Sequence, residues 1–537
     1  MKTKILLLLL AVPFLLNGQS KLSKAFNITL SNPYAVVDAK DKQYYSVNNG
    51  NEILSIKSRG DIVTTQLFSV EGMNEISRKE YEDFPKYAKF VDIIHIDDEH
   101  MYYIYEAYNK KSTTFSVFAR VISTADGTFG PNKELFTSAS DVIGSPSNSI
   151  VFYGVGPFAI GLPKFKVSLS FDKSKILIDY RTRPENKNDS KNFDRIGMYV
   201  FDNELNSIWG EEVKMPYTEA IINNLAYGIS NNGSTYTLIQ KEKVNDFELL
   251  VYKNGELTKH TLDINKDLKF QRMEVKETAD GNVICAGFYA NGTDIKVDWT
   301  GNVSTSFNTD GIYYFTMDKD GNLLTAKQIE FPIAFIKLYL SPKQKEKIQK
   351  REKDGKAGIS DLKLINFTVN KDGSFVFIGE QQYARNEMYF TSQKMVYHYE
   401  AIIATKVNNE GDVIWMKKLP KDQAGVSGQG GMSVKYVKAK DSHYFLFLDN
   451  AKNINLSPTK VPAEHKDGAG GFLTTYIVND ETGNVEKHGL ADITNVKGQE
   501  LYQFNVTRIF EAKQGVFFLE VYLKGKKDGM LKMGVKE

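Results

Sequence analysis

The sequence predicts an all-β protein: a β-propeller of eight four-stranded antiparallel blades, with seven as the alternative count, closed by an N-terminal strand. Three observations predict it. Short turns carrying Asp, Asn or Gly separate runs of β-branched and aromatic residues eight times, at 38–41, 97–100, 172–175, 231–234, 280–282, 371–374, 440–443 and 513–515. A second turn series is interleaved at 58–61, 125–128, 203–206, 253–255, 319–322, 409–411 and 480–483. Finally, the last repeat stops one strand short, while an orphan strand, Ala25-Phe26-Asn27-Ile28-Thr29-Leu30, precedes the first.

Two hairpin turns per repeat, joined by a third connection, make one four-stranded unit. Asn-Gly and Asp-Gly recur in the turns because tight hairpins need φ > 0, which Gly and Asn tolerate cheaply. The repeats lie roughly 50 to 90 residues apart, wider than the usual blade of about 40 to 50. The sixth shows the pattern best. An inner strand at 365–369, a turn at 371–374, strands at 375–380 and 401–407, a turn at 409–412 and an outer strand at 413–417 follow in order. Pro420 then ends that strand, and Pro216 and Pro332 are expected to do the same in the third and fifth repeats, where an outer edge needs no N–H. In the last repeat the strands are expected at 504–510, 516–522 and 530–535. The orphan strand supplies its outer edge, removing two exposed sheet edges.

Lys+Arg number 68 and Asp+Glu 66, a formal net charge of +2, which takes away the electrostatic case for nucleic acid. Residues 1–20 read as a secretory signal peptide: Lys2 and Lys4, an apolar stretch from Ile5 to Leu16, then small residues at Gly18 and Ser20. No later apolar run approaches the length of a membrane span, so the mature protein, a single domain over 21–537, is not itself expected to span a membrane. Cys285 is the only cysteine; it sits in Val283-Ile284-Cys285-Ala286-Gly287-Phe288 and is expected to be an inert buried strand residue. Signal and cysteine usage together suggest a periplasmic or secreted bacterial envelope protein.

In a propeller, first-to-second and third-to-fourth strand turns share one face of the disc, while second-to-third turns and blade-to-blade links share the other. Here the first class is short. The long insertions, at 70–87, 137–164, 181–194, 290–310, 332–362, 381–399, 420–432 and 449–471, belong to the second. Insertions gathered on one face mark a binding surface. The uncharged, Gly-rich run 151–163 provides candidate partner-binding residues Phe152, Tyr153, Phe158, Ile160 and Leu162, either as an exposed sticky patch or folded back as a lid. Residues 341–353 read as a helix, with Ser341 as N-cap, Pro342 in the first turn and Gly355 as a stop; a solvated helix and a docking helix for an acidic partner are the two readings.

Chemistry is sparse. His95-Ile96-Asp97-Asp98-Glu99-His100 has donors for a metal but falls on a hairpin turn. Asp318-Lys319-Asp320-Gly321-Asn322 starts like a calcium loop without the twelfth-position glutamate. The Gly-rich run 425–431 lacks the Lys and Ser/Thr of a phosphate cradle, and no Gly-x-Ser-x-Gly elbow occurs. Trp415, after Gly411, resembles the docking tryptophans of quinoprotein dehydrogenases, with Trp209 as a second instance; 3 Trp in all are too few for one per blade. No catalytic residue, cofactor or metal site is therefore assigned.

Residues 375–380, the approach at 397–399, and Gly411-Asp412-Val413-Ile414-Trp415-Met416-Lys417-Lys418-Leu419-Pro420-Lys421-Asp422-Gln423 resemble an uncharacterised family of secreted bacterial β-propeller-like proteins. The resemblance implies export to the envelope and no known activity. The reading that results is a non-catalytic protein-interaction module of the envelope, one version being an accessory or plugging subunit of an outer-membrane secretion channel. The alternative is a glycan-binding protein or glycan-active enzyme.

Overall fold

Alternation of side chains across a strand sends neighbouring residues to opposite faces, and in the second and third strands of most blades both faces are buried. The computed structural model describes every residue except 1–21, 139–140, 145–162, 184–189, 242–243, 292, 298–302, 390–391, 458–459 and 537. Its strands form eight four-stranded antiparallel blades. Blade 1 comprises Asp41–Val47, Glu52–Arg59, Ile62–Ser69 and Glu75–Tyr81; blade 2, Lys89–His95, Met101–Asn109, Thr114–Val121 and Lys133–Thr137. Blade 3 is Lys166–Leu169, Lys175–Arg181, Phe193–Asp202 and Ser207–Thr218; blade 4, Ile222–Ile229, Thr235–Lys241, Asp246–Lys253 and Glu256–Leu262. Blade 5 is Lys269–Glu277, Val283–Ala290, Gly311–Met317 and Leu323–Glu330; blade 6, Leu362–Val369, Phe375–Tyr389, Ser392–Val407 and Val413–Leu419. Blade 7 is Lys435–Ala439, Ser442–Asp449, Phe472–Asn479 and Val485–Asp492. Blade 8 takes Ile509–Lys513, Val516–Leu523 and Lys527–Val535 from the C-terminus and Phe26–Leu30 from the N-terminus.

The last pairing is antiparallel, from Phe26 opposite Val535 to Leu30 opposite Leu531. Tyr34–Ala35 adds a second contact on the same C-terminal strand. The chain's two ends are thus stitched by backbone hydrogen bonds, as the orphan strand predicts.

The core is divided among the junctions between blades. On the second strand of blade 3, Ile176 and Ile178 pack with Tyr102 and Ile104 of blade 2, while Leu177 between them packs with Ile239 and Leu250 of blade 4. On the second strand of blade 6, Phe375 and Phe377 join blade 5 and Val376 and Ile378 join blade 7. A strand buried on both faces reads as a continuous apolar run, which is why these segments show no polar alternation. Each of the eight junctions has its own cluster. The eighth sets Tyr44, Ile53 and Phe68 of blade 1 against Phe510, Phe518 and Met530 of blade 8. Eight blades sharing eight junctions is the contact pattern of a ring. Cys285 lies fully buried between blades 4 and 5, and burial pushes its thiol well above its ordinary pKa.

Blade 1 departs from the expected frame. Its first turn is at 48–51, where Asn48, Asn49 and Gly50 all take positive φ, rather than at 38–41; the turn at 58–61 joins the second and third strands. The outer strand, Glu75–Tyr81, therefore lies inside the stretch read as an insertion at 70–87. Asn-Asn-Gly-Asn is the stronger hairpin signal of the two, because three successive residues there tolerate φ > 0. In blade 8 the inner strand begins at Ile509, since Asn505 caps a single 3₁₀ turn at Val506–Arg508 by accepting from the Thr507 N–H at 2.9 Å. Pro216 does not end its strand either. It sits where the blade 3 pairing slips, between the pairs Arg195–Lys214 and Phe193–Thr218, on an edge that tolerates a missing donor.

Candidate interaction face

Many of the turns on one face are closed by their own side chains. Asp97 Oδ1 accepts from the Glu99 and His100 N–H groups at 2.9 and 2.8 Å; Asp172, Asn232 and Asp372 each accept from the N–H of a serine two residues on, at 2.9, 2.9 and 3.0 Å. The third-to-fourth turns repeat the device, with Asp202, Asp318 and Asn408 accepting from the N–H four residues ahead at 2.8, 2.8 and 2.7 Å. These Asx turns explain both metal-like motifs. Asp97 also holds His100 Nδ1 at 2.8 Å, and Asp318 is occupied by its own loop. Among the described residues no three His, Cys, Asp or Glu side chains converge as a metal site.

The other face carries the insertions. Between the second and third strands of blade 5 lies a hairpin, Thr293–Val297 with Val303–Thr309. Between blades 5 and 6 come two helices, Ile333–Ile336 and Pro342–Lys353. The second and third strands of blade 6 continue past the disc as a two-stranded arm, paired as far as Tyr389 with Ser392. Met388 and Met395 near its tip are 70% and 43% exposed. A free two-stranded ribbon is marginal in water, and this one is buttressed at its base. Gln423–Gly425 pairs antiparallel with Tyr397–Tyr399 and parallel with His465–Lys466, tying the arm to the 420–432 and 449–471 insertions.

A buried polar network fixes that platform. Lys421, fully buried, pairs with Glu380 Oε1 at 2.7 Å and donates to the Tyr399 carbonyl and Gln423 Oε1 at 2.7 and 2.9 Å. Ser433 donates to Glu380 Oε2 at 2.7 Å, and Gln423 Nε2 to the Leu448 carbonyl at 2.7 Å. Next to it, Asp449 accepts from Asn453 at 2.7 Å and pairs with Lys487 at 2.8 Å, while Asn453 clamps Ala463 through both its backbone groups at 2.7 Å. Burial, with Glu400 and Glu464 nearby, pushes the Asp422 carboxyl up to about 7. Burial likewise lowers the Lys418 ammonium to about 8; it donates to the Ile336 carbonyl at 2.8 Å and so holds the first helix on blade 6. The insertions are anchored, pre-shaped relief.

Phe152, Tyr153, Phe158, Ile160 and Leu162 lie outside the described residues, as does the expected signal peptide. The end of their segment is visible: Lys164 pairs with buried Glu106 at 3.4 Å and lies 3.9 Å from the centroid of the Phe115 ring. A shallow polar depression of about 470 Å³ opens on the decorated face, lined by Thr494, Asn495, Gly498, Gln499, Glu500 and Lys524. The sequence missed the 493–508 link that forms it, and missed the Lys421–Glu380 network. The one signal was Lys421-Asp422-Gln423, charged and polar residues directly after a strand-ending proline. Both candidate docking tryptophans do bridge blades: Trp209 Nε1 donates to the Gly233 carbonyl of blade 4, and Trp415 Nε1 to the Asp480 carbonyl of blade 7, each at 2.9 Å.

No known protein family matches the chain, and no curated protein matches it. Among solved structures, the WD40 domain of SCAP from fission yeast superposes over 96% of this chain and 97% of its own, with a TM-score of 0.36 and 8% identity. A PL25 ulvan lyase, of a polysaccharide lyase family, covers 82% of this chain and 90% of its own, at TM-score 0.36 and 10% identity. A protein of unknown function from Bacteroides caccae covers 69% and 89%, at 0.25 and 8%. With TM-scores below 0.5 these likenesses bear on neither architecture nor activity. The class is defined by the strand order: a β-propeller.

Proposed function

We propose that this propeller is a non-catalytic interaction module of the bacterial envelope, and that its decorated face binds another protein. The observation that supports the reading is the division of labour between the faces. Self-closed Asx turns occupy one, while the arm, the helices and the anchored loops of blades 6 and 7 rise from the other. A pre-shaped surface loses little conformational entropy on association, which favours affinity. The signal-like N-terminus supports a partner in the periplasm or outside the cell, and an outer-membrane secretion channel is one candidate of that kind.

Affinity capture from solubilised envelope membranes tests the reading, comparing the intact chain with a variant whose arm is shortened by replacing residues 383–398 with a two-residue turn. A stoichiometric protein partner, lost with the shortened arm, is the expected result. Failure to recover any partner, together with turnover of an envelope or extracellular polysaccharide, overturns it in favour of glycan chemistry.

A further inference from the structure

The helix Pro342–Lys353 is built by local caps and not by burial. Ser341 Oγ accepts from the Gln344 N–H at 3.3 Å while the Gln344 side chain accepts from the Ser341 N–H at 2.8 Å, a reciprocal capping box with Pro342 as the first helical residue. No residue of the helix is fully buried. Ile348 packs on the blade 5–blade 6 core, Lys337 pairs with Glu352 at 3.3 Å, and Arg351 Nε donates to the Lys356 carbonyl at 3.1 Å. One side is thereby fixed to the disc. Helical spacing then turns Lys343, Lys350 and Lys353 outward with Lys347 beside them, and all four are exposed.

Residues 343–356 hold seven cations against three carboxylates, an excess of four in a chain whose whole net charge is +2. Lys350 pairs within the helix with Glu346 at 2.9 Å; Lys343, Lys347 and Lys353 have no ion-pair partner among the described residues. Leu338, in the link between the two helices, is 37% exposed and adds an apolar side chain beside them. Three ammonium groups are thus displayed, without partners, along a rigid rod on the face already assigned to binding.

From this we infer that the helix Pro342–Lys353 is a docking element for an acidic segment of a protein partner, whose carboxylates pair with Lys343, Lys347, Lys350 and Lys353. The inference rests on the interaction-module reading and names one element of that surface. Two other anionic occupants fit less well. A bilayer surface calls for apolar residues on the outward side of the helix, and its one isoleucine points inward. A nucleic acid calls for a basic surface longer than one helix, in a chain whose whole net charge is +2.

The test uses the full chain and a fluorescently labelled oligoglutamate as probe, with binding read by anisotropy at low and high salt. In the variant, Lys343, Lys347, Lys350 and Lys353 are all changed to Gln, which matches Lys in helix propensity, so the melting temperature should stay put. Oligoglutamate should bind the intact chain, weaken by about tenfold in the variant, and weaken with added salt. Gln at Lys319, Lys371 and Lys440, on turns of the opposite face, should leave binding unchanged. Absence of binding, an equal loss in that control, or tighter binding of phosphatidylglycerol vesicles or of RNA than of oligoglutamate overturns the inference. If the fourfold variant still captures the envelope partner through the arm, the helix assignment falls while the interaction-face reading stands.

Discussion

Lys57 and Glu520, 463 residues apart in the chain, form an ion pair from which water is wholly excluded. It lies at the seam where blade 8 meets blade 1. Lys42 joins it at 3.2 Å, and Tyr34 and Tyr44 donate to the same carboxylate, Tyr34 at 2.8 Å. Asp528 completes the group, 3.6 Å from Lys42. Two cations and two carboxylates make the cluster neutral overall, so each charge depends on the others for its burial.

Glu520→Ala should therefore cost about 3–5 kcal/mol, because it leaves two buried ammonium groups, Lys57 and Lys42, with Asp528 alone to balance them. Replacing Lys57 and Glu520 together by Met should recover most of that loss. Denaturant titration of the single and double variants decides it; equal losses in both would show that packing volume, and not charge pairing, holds the seam.

The same carboxyl makes stability depend on acid. Burial pushes Glu520 up, but Lys57 and Lys42, with hydrogen bonds from Lys57 and Tyr44, outweigh it and hold the group at about 2. Depressed in the fold, it contributes stability that is present above the ordinary carboxylate pKa of about 4.3 and is lost as pH falls toward 2. Asp528 acts in the opposite sense, since burial and Glu520 raise it. The melting temperature of the intact chain should fall steeply below about pH 4, and the fall should be shallower in Glu520→Gln.

Asp422 gives the reverse profile. An aspartate held at about 7 in the fold binds a proton that the unfolded chain releases near 3.9, so the fold loses stability as pH rises between the two values. Asp422→Asn should raise stability at pH 8 by about 1–2 kcal/mol, less than the full shift implies because the carboxyl is partly exposed, and change little at pH 4. A gain of equal size at both pH values would place its origin elsewhere.

Removing residues 22–31 should lower the melting temperature sharply, since it exposes the outer edge of the last C-terminal strand and uncovers the core beneath Phe26. Phe26→Ala alone should cost about 3–5 kcal/mol. An unchanged thermal transition in the deletion would show that the N-terminal strand does not secure the ring.

Trp415→Phe removes the donor that reaches the Asp480 carbonyl across the blade 6–blade 7 junction, and should cost about 1–3 kcal/mol by chemical denaturation. Val413→Ser, two residues away but 41% exposed, should fall within about 0.5 kcal/mol of the parent.

Much of this architecture is legible in the chain. Phe375-Val376-Phe377-Ile378 announces a strand buried on both faces, Asp372-Gly373 and Glu410-Gly411 announce its turns, and the unmatched strand at residues 25–30 announces the pairing with 531–535. Where two turn signals lay close together, at 38–41 and 48–51, local pattern chose the weaker and shifted blade 1 by one strand. Hydrogen-bonded ladders are periodic, so a local reading of residue types recovers blade count and chain direction and, outside blade 1, the face from which the connections leave. The partners of Lys57 and Lys421 were invisible to that reading. A lysine at either position looks like solvent-facing charge until the sheets pack, and the carboxylate that neutralises it sits wherever that packing brings it, hundreds of residues away for Glu520 and two strands back in the same blade for Glu380. Tertiary structure alone decides which charges are buried, because desolvation depends on the whole surface closing over them.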